Sequence, residues 1–394
     1  MTDFINNERT FSLEEAEKIN ETISNFLKNK GINIRHYIRS DTDICYVEGN
    51  DKIYGLGKGK AGYQGAFGEC IEHLLYEKDV NSVKVIDIEI VKKQKFYSFD
   101  LIYQYAINLG FNDSKVACLT FSDPNGNEQF VPVELINYHC FKRSEQHCKY
   151  SSFLSKYATT SGSAFGHTEF DSLLHALNEM IERDTTSRFF ALLYDDVNYE
   201  GYEFRIIDDY EIKFTFPLLV EKLMCKFDIK SMEVLFCNTP FNVSWAFCIC
   251  RPSTKIKFIL PIWGAGCSYY PELAIYRAVT EAYQMMDNYI DENIKEQTKL
   301  KIFSERYPKA KNISEFKLNK DICYQTFPEV KPSLSVEEQV ETIKRYLDLN
   351  DFYTLTKVVK YFENGFLASV YSPMQDRFYN ITKATPVLPM YALR

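Results

Sequence analysis

Apolar positions recur at helical spacing in several parts of the chain. Ile19, Ile23 and Phe26 predict an amphipathic helix that runs from Ser12, a candidate N-cap, to Lys30. The same spacing predicts further helices over residues 64–76, 169–193 and 271–289, and a helical pattern resumes after residue 335. The chain therefore contains several helices that each need an apolar surface to pack against.

Between these helices the pattern changes to short apolar or alternating runs, which are typical of strands. Such runs lie at residues 32–38, 44–48, 83–91, 116–121, 128–133, 234–238, 245–251, 256–262 and 366–371. Asn125-Gly126 lies between two of them and predicts a hairpin. Residues 290–335 are rich in Lys, Glu and Asn and predict a solvated, irregular segment. Together these elements predict mixed sheets with helices packed over them, an α+β protein.

Three of the predicted helices follow a glycine-rich turn. The turns are Gly57–Gly62, Gly162–Gly166 and Gly264–Gly266, and weak similarity among the helices indicates an internal repeat. Small residues let backbone N–H groups approach a nucleotide, and a helix N-terminus adds partial positive charge. Three related βα-like units therefore predict three helix faces directed at a common centre.

Acidic residues recur on these three helices. The pairs Glu69/Glu72 and Glu179/Glu182 have i,i+3 spacing, so each pair shares one helix face. Carboxylates next to arginines suit a site that holds Mg²⁺ and phosphate together. The alternative is a set of solvated glutamates and surface ion pairs of little worth. The remaining charged members of the candidate site are Arg183, Arg277 and Glu281.

Two residues near the start of the second helix are candidates for nucleoside contacts. Asp171 could accept from a ribose hydroxyl, or it could complement the helix dipole as an N-terminal acid. His167 could contact a base, or it could cap the helix. Both alternatives stay open on the sequence alone.

Composition and charge narrow the class of protein. A formal net charge of −8 over 394 residues argues against a general nucleic-acid binder. We see no secretory start and no apolar run near the ~20 residues that span a bilayer. We therefore expect no membrane span, a cytoplasmic location and reduced cysteines. His139-Cys140 and His147-Cys148 are weak zinc candidates, and Cys248 and Cys250 alternate as buried strand residues do.

The residues described so far resemble the YcaO family of ATP-dependent enzymes, which activate backbone amides of peptides. The resemblance lies in three blocks, Gly57–His73, Ser161–Asp184 and Gly264–Gln284. The central block is the most specific, because Gly-x-Ala-x-Gly-x-Thr is followed by an acid and then by Glu-x-x-Glu-Arg-Asp. The family's fold has mixed sheets with packed helices, and its three related βα-like units surround a central ATP site.

The resemblance assigns roles to individual residues. Mg²⁺ would be held by five glutamates, namely Glu69, Glu72, Glu179, Glu182 and Glu281. Arg183 and Arg277 would contact phosphates and, with Glu182, form the catalytic group. Lys58 would be available for phosphate, while Ala164, His167 and Asp171 would line the nucleoside end. ATP and Mg²⁺ are the implied cofactors.

Several positions depart from the family pattern. His167 and Ser161 stand where Asn is common, and His73 replaces an Arg. The loop between Lys58 and Glu69 is about three residues shorter than usual. These departures concern the base contacts and the first loop, and they leave the expected metal cluster unchanged.

The implied reaction transfers the γ-phosphate of ATP to a peptide amide oxygen. A neighbouring Cys, Ser or Thr as nucleophile gives an azoline, sulfide gives a thioamide, and an amine gives an amidine. The tail lacks a Pro-x-Pro-x-Pro ending, and Arg9–Glu15 resembles the start of stand-alone and TfuA-associated members. We expect a precursor peptide as substrate and an E1-like, leader-binding or TfuA-like partner. The tail and the start of the chain both argue against the simplest azoline case, and azoline and thioamide formation rank nearly equal. A homodimer stays open.

Motifs divide the chain into three predicted regions: an N-terminal helix and strands at 1–55, an ATP- and Mg²⁺-binding core at 56–290, and a C-terminal region at 291–394 packed on that core. Two other functions compete with this interpretation. One is a YcaO-like scaffold that binds nucleotide or peptide without turnover. The other is an unrelated ATP-using enzyme such as an amide ligase, which would join two molecules.

Overall fold

The structure is a computed structural model, and it describes residues 7–38, 44–49, 53–58, 61–79, 82–110, 114–136, 153–253, 258–288, 290–318 and 322–393. The strands are β1 Ile34–Ile38, β2 Ile44–Gly49, β3 Ile53–Lys58, β4 Lys84–Asp87, β5 Lys115–Ser122, β6 Glu128–Pro132, β7 Ser163–Gly166, β8 Arg205–Ile207, β9 Ile229–Asn238, β10 Ser244–Pro252, β11 Ile262–Ser268, β12 Tyr324–Gln325, β13 Leu355–Phe362 and β14 Gly365–Tyr371. The α-helices are α1 Leu13–Lys28, α2 Gly62–Asp79, α3 Ile88–Lys92, α4 Leu101–Asn108, α5 Val133–Ile136, α6 Glu169–Asp195, α7 Asp209–Thr215, α8 Pro217–Lys226, α9 Pro271–Asn288, α10 Ile290–Arg306, α11 Ala310–Ser314 and α12 Val336–Leu349. This mixture confirms the α+β class.

The chain forms two compact units. The first unit is Met1–Met180 with Ser333–Gln375 and Leu393–Arg394, and the second is Ile181–Pro332 with Asp376–Ala392. Helix α6 begins in the first unit and continues into the second. The three regions at 1–55, 56–290 and 291–394 were defined by sequence motifs and not by compactness, so they stay a prediction.

The first unit contains two sheets. One is a three-stranded antiparallel sheet in the order β1-β2-β3. The other has the order β4-β5-β13-β14-β7, with β6 paired to β5. Helices α1 and α2 pack on the smaller sheet through a core that includes Ile23, Val47 and Phe67 and reaches Phe165 of β7. The predicted hairpin at Asn125-Gly126 joins β5 and β6 as expected.

The second unit is built on one five-stranded sheet in the order β11-β10-β9-β8-β12. Strand β10 lies inside the sheet, between β11 and β9, and is buried on both faces over most of its length. Its sequence is therefore a nearly continuous apolar run and not an alternation of apolar and polar residues. Cys248 and Cys250 are fully buried there, which confirms their predicted packing. Trp245 on the same strand is also fully buried, and its ring lies 5.7 Å from that of Phe189 on α6.

Helix capping explains where two predicted helices begin. Ser12 accepts the N–H of Glu15, whose carboxylate accepts the N–H of Ser12 in return, and this capping box starts α1. Ser335 and Glu338 form the same reciprocal pair at the start of α12. Each pair satisfies N–H groups that the first helical turn cannot satisfy itself.

Three predicted segments differ in the structure. The strand predicted over 83–91 is right only for its first half, because Asp87 accepts the N–H of Glu89 and caps α3. The strand predicted over 256–262 is wrong in the described part, where residues 258–261 are irregular and β11 begins at Ile262. The irregular segment predicted over 290–335 is wrong in part, since it contains α10 and α11, and Ala310 and Ile313 of α11 are buried. A polar surface helix shows little apolar periodicity, so the sequence pattern did not predict these helices.

Helices α2 and α9 lie directly on glycines of the strands that precede them. A Cβ built on Gly57 would lie 1.5 Å from the carbonyl oxygen of Gly62, and one on Gly55 would lie 1.9 Å from that of Ala66. Strand β11 repeats this arrangement against α9. There, a Cβ on Gly266 would lie 2.2 Å from the Ala274 oxygen, and one on Gly264 would lie 2.3 Å from the Ala278 oxygen. In both places the helix backbone touches the strand backbone, which only glycine allows.

Gly57→Ala should lower the free energy of unfolding by about 3 kcal/mol, because the helix must move away to admit the methyl group. Gly65→Ala is the matched control, since its Cβ would meet nothing closer than 3.7 Å and alanine favours a helix. Urea unfolding of both variants measures the difference. Equal midpoints for the two variants would contradict the close packing.

Candidate functional site

In the first unit, Glu69 is held by the strand on which its helix packs. The Leu56 N–H, which lies between the two glycines of β3, donates to Glu69 Oε2 at 2.7 Å. Glu72 follows one turn later on α2, and both side chains are partly buried. A carboxylate has about four lone-pair sites, so one accepted N–H still allows a metal to bind.

The start of α6 lies in the first unit and includes Glu179. Its Oε2 accepts the N–H of Gly162 at 3.2 Å. Gly162 has a φ of +86° and a Cβ there would lie 2.4 Å from the Val370 carbonyl oxygen, so this turn requires glycine. Glu179 is therefore positioned by backbone next to a strand, as Glu69 is.

The predicted nucleoside residues also lie in the first unit. Ala164 is buried in β7, opposite Ala368 of β14. His167 Nε2 lies 2.7 Å from Asn20 Oδ1 of α1. Burial lowers the pKa of His167 to about 4, with Asp171 opposing and Arg9 reinforcing the shift. His167 is therefore neutral at pH 7.

Asp171 connects α6 to the N-terminal segment. Its Oδ1 accepts from both the backbone N–H (2.8 Å) and the hydroxyl (2.9 Å) of Thr10. The Thr168 N–H donates to Asp171 Oδ2, and Thr168 Oγ1 accepts the Asp171 N–H, which completes a capping box for α6. This buried carboxylate thus has a structural role, and its contact with a ribose hydroxyl stays a prediction. No local sequence pattern predicts the roles of Thr10 and Asn20, because their contacts with Asp171 and His167 join distant parts of the chain.

In the second unit, α6 presents Glu182 and Arg183. Arg183 Nη1 lies 3.5 Å from Glu182 Oε1, and its guanidinium lies over the Tyr379 ring at 5.5 Å. The Ser187 hydroxyl donates to the Arg183 carbonyl and accepts the Tyr379 N–H. Tyr379 therefore supports Arg183 through its backbone and its ring. Sequence analysis missed this residue, since nothing in its local pattern marks it.

Strand β11 and helix α9 place the other two predicted residues of the second unit. The Ala265 N–H, between the two glycines of β11, donates to Glu281 Oε2 at 3.3 Å. Arg277 Nη1 donates to the Cys267 carbonyl oxygen at 2.8 Å. Both side chains are partly buried and are held against the strand backbone.

A buried ion pair stabilises this part of α6. Arg188 donates to both oxygens of Asp184 and lies between the rings of Tyr199 and Tyr202, 4.7 Å from each. Asp184 also accepts the N–H of Asp376, so the segment after Asp376 is attached to the helix that presents Arg183. Breaking such a fully hydrogen-bonded pair is costly.

The structure describes most of the predicted site within the two units. Glu69, Glu72, Glu179, Ala164, His167 and Asp171 belong to the first unit, and Glu182, Arg183, Arg277 and Glu281 belong to the second. Lys58 ends β3, and its side chain lies outside the described residues. The two His-Cys dipeptides at 139–140 and 147–148 also lie outside them. Among the helices described, none is long and apolar enough to cross a bilayer.

The donor set fits Mg²⁺, which prefers carboxylate oxygens. Within the described residues, no group of three or more His, Cys, Asp or Glu side chains is arranged to hold a metal ion. Mg²⁺ commonly takes only one or two carboxylates together with substrate phosphates and water, so such a group is not required. Coordination by the five glutamates therefore stays a prediction.

Residues 57–364 match the family described as YcaO cyclodehydratase, ATP- and Mg²⁺-binding. The chain belongs to the YcaO family. ATP and Mg²⁺ are accordingly its cofactors. A comparison with curated protein sequences gave no match.

Solved structures show the same fold at low sequence identity. YcaO from Methanopyrus kandleri, bound with AMPPCP and Mg²⁺, has a TM-score of 0.64 at 16% identity and covers 96% of this chain and 94% of its own. A heterocyclase in complex with substrate and cofactor scores 0.62 at 14% identity, covering 97% and 58%. The E. coli microcin synthetase McbBCD complex scores 0.59 at 12% identity, covering 88% of each chain.

His167 should make stability fall as the pH is lowered. An unfolded His titrates near pH 6.5, whereas in the fold the pKa of His167 is about 4. The unfolded chain therefore binds more protons between these values, so the contribution is complete above pH 6.5 and is lost towards pH 4. Through this histidine the wild type should lose on the order of 2 kcal/mol of unfolding free energy between pH 7 and pH 4, and His167→Asn should not show this loss.

Urea unfolding at several pH values measures this difference. His73→Asn is the control, because His73 is exposed on α2. If His167→Asn and wild type lose equal stability between pH 7 and pH 4, the assignment of His167 as a buried, neutral side chain is wrong.

Proposed function

We propose that this YcaO-family protein uses ATP to phosphorylate a backbone amide oxygen of a peptide. A nucleophile adds to the amide carbon, the γ-phosphoryl group moves to the amide oxygen, and that oxygen leaves as phosphate. The product is an azoline if the nucleophile is a neighbouring Cys, Ser or Thr, and a thioamide if it is sulfide. An amidine follows if the nucleophile is an amine.

One observation carries the proposal: three glutamates, one in each of the strand–helix units, accept a backbone N–H, two of them from a strand and one from the turn before β7. These are Glu69, Glu179 and Glu281. A carboxylate that accepts a backbone N–H is held in one orientation. Glutamates placed in this way are suited to a metal–nucleotide site, in which positioning dominates the chemistry.

The arginines have a separate task. Arg183 and Arg277 would bind the phosphates, with Arg183 oriented by Tyr379 and Arg277 by the Cys267 carbonyl. Mg²⁺, when bound through Glu69, Glu72, Glu179, Glu182 and Glu281, would neutralise charge on the phosphates. Orienting a guanidinium before substrate binds reduces the entropy lost in the complex.

The similar structures support a peptide substrate and a partner protein. One is a heterocyclase in complex with substrate, and others are the microcin synthetase McbBCD complex without and with pro-MccB17 bound. We accordingly propose a precursor peptide as substrate and an E1-like, leader-binding or TfuA-like partner. A homodimer and a cytoplasmic location belong to the same proposal.

Mg²⁺-ATP should raise the thermal stability of the protein, and Glu182→Gln should abolish the rise. A ligand at about 100 times its Kd adds about 2.7 kcal/mol to the free energy of unfolding. Glu221→Gln is the matched control, because this glutamate is exposed on α8 and lies outside the site. Differential scanning fluorimetry with ATP, with Mg²⁺ and with both separates the contributions.

A stabilisation that needs both ATP and Mg²⁺, survives in Glu221→Gln and is lost in Glu182→Gln supports the site. An equal rise in Glu182→Gln would show that this glutamate does not hold the metal–nucleotide complex. No rise in any of the proteins would favour a scaffold without nucleotide chemistry.

The reaction itself should appear in the mass of the peptide. With ATP, Mg²⁺ and the partner protein, an azoline shows the loss of one water, and a thioamide made with sulfide shows exchange of oxygen for sulfur. Arg183→Lys should slow either reaction, since lysine cannot bind phosphate bidentately. A peptide of unchanged mass under all of these conditions would refute the catalytic proposal.

A further inference from the structure

An open groove in the first unit lies between α1 and the turn that joins β13 to β14. It has a volume of about 590 Å³ and is lined on the helix side by Lys18, Ile19, Thr22, Ile23 and Phe26, and on the hairpin side by residues 360–364. This volume lies within the range of sites that bind small ligands or peptide side chains. The groove contains none of the predicted ATP-site residues.

The floor of the groove is apolar and stays partly exposed. Phe26 is 50% exposed, and its ring lies 5.8 Å from that of Phe362 in an edge-to-face contact. Ile19 and Phe362 are partly buried against the core of the unit. Exposed aromatic surface in a concave site is typical of recognition sites, because covering it excludes water from the rings.

Positive charge borders this floor. Lys18 and Lys360 line the groove from opposite walls. Lys18 interacts electrostatically with Glu15 of its own helix, and Lys360 Nζ lies over the Phe366 ring at 5.4 Å. Lys30 lies over the Phe26 ring at 5.9 Å. Glu363 is the one acidic residue among those that line the groove. The arrangement is complementary to a chain segment in which acidic side chains flank apolar ones.

Aromatic contacts connect the groove to the nucleoside end of the unit. Phe362 lies 6.3 Å from Phe165, and Phe165 lies 6.0 Å from His167, by ring centroids. Phe165 also contacts Phe67 on α2, the helix that carries Glu69 and Glu72. A segment in the groove would therefore be anchored on the same core that positions these glutamates.

We propose that this groove binds an acidic, apolar recognition segment of the substrate peptide. The proposal rests on the proposed function for the identity of the peptide. Apolar side chains would cover Phe26 and Phe362, and carboxylates would pair with Lys18 and Lys360. The segment would thereby be held on the unit that carries the glutamates of α2.

The test uses a fluorescein-labelled peptide, Asp-Leu-Thr-Val-Asp-Leu-Thr-Glu, and a version with Lys in place of each acid. Fluorescence anisotropy with the full-length protein should show binding of the acidic peptide only. The double variant Lys18→Glu/Lys360→Glu and the variant Phe26→Ala should each weaken it roughly tenfold. The controls lie elsewhere and should have no effect: Lys344→Glu changes a half-exposed lysine paired with Glu341 on α12, and Phe214→Ala changes an exposed residue on α7.

Three outcomes would overturn the proposal. They are equal binding of both peptides, equal binding by the groove variants and wild type, and a dimer that Phe26→Ala converts to monomer without affecting peptide binding. The last outcome would make the groove an interface between two copies of the chain.

Thermal stabilisation by Mg²⁺-ATP is measured on the same variants. Groove variants that lose the peptide but keep this stabilisation support the groove and leave the ATP site intact. If Mg²⁺-ATP does not stabilise the wild-type protein, the proposed function is refuted. The anisotropy measurement would still show whether the groove binds the peptide.

Discussion

Close contact between helix backbone and strand backbone is the constraint on which the two units depend. At Gly55 and Gly264 no Cβ fits, because helix carbonyls, those of Ala66 and Ala278, occupy the space where a methyl group would lie. The helix therefore rests on the strand itself and not on side chains. At this distance a glutamate three residues beyond the contact reaches the strand N–H between the glycines, as Glu69 reaches Leu56 and Glu281 reaches Ala265. The glycines in the helix–strand interface thus determine where the carboxylates of Glu69 and Glu281 lie.

The same arrangement offsets the cost of partly burying carboxylates. A charge taken out of water is unfavourable unless hydrogen bonds replace its hydration. Backbone N–H groups are the cheapest such donors, because the strand already holds them in place. On α6 the Gly162 N–H does this for Glu179, while the hydroxyls of Thr186 and Ser187 donate to the backbone carbonyls of Glu182 and Arg183. The bonds of Thr186 to Trp245 and of Ser187 to Tyr379 attach this turn of the helix to buried parts of the second unit.

Much of the fold was predictable where a local pattern sets the structure. Capping by Ser12 and Ser335, the Asn125-Gly126 hairpin and the three glycine–helix units follow from residues close in sequence. The strand over 83–91 failed because Asp87 caps a helix in the middle of an alternating run, and local periodicity cannot detect this. The roles of Thr10, Asn20 and Tyr379 could not be predicted, because each contacts a residue more than a hundred positions away. Tertiary packing, and not sequence spacing, brings such pairs together.

The chemistry of the two proposed reactions means that the predicted ATP-site residues would not by themselves identify the product. Azoline and thioamide formation share phosphorylation of an amide oxygen, so the glutamates and arginines would do the same work in both. The difference lies in which nucleophile reaches the amide carbon, and that depends on how the peptide is held. A neighbouring Cys, Ser or Thr needs a peptide bound in one register, whereas sulfide needs only access to the carbonyl. Surfaces that hold the peptide away from the phosphates, as we propose for the groove beside Phe26, would therefore influence the product more than the ATP site would.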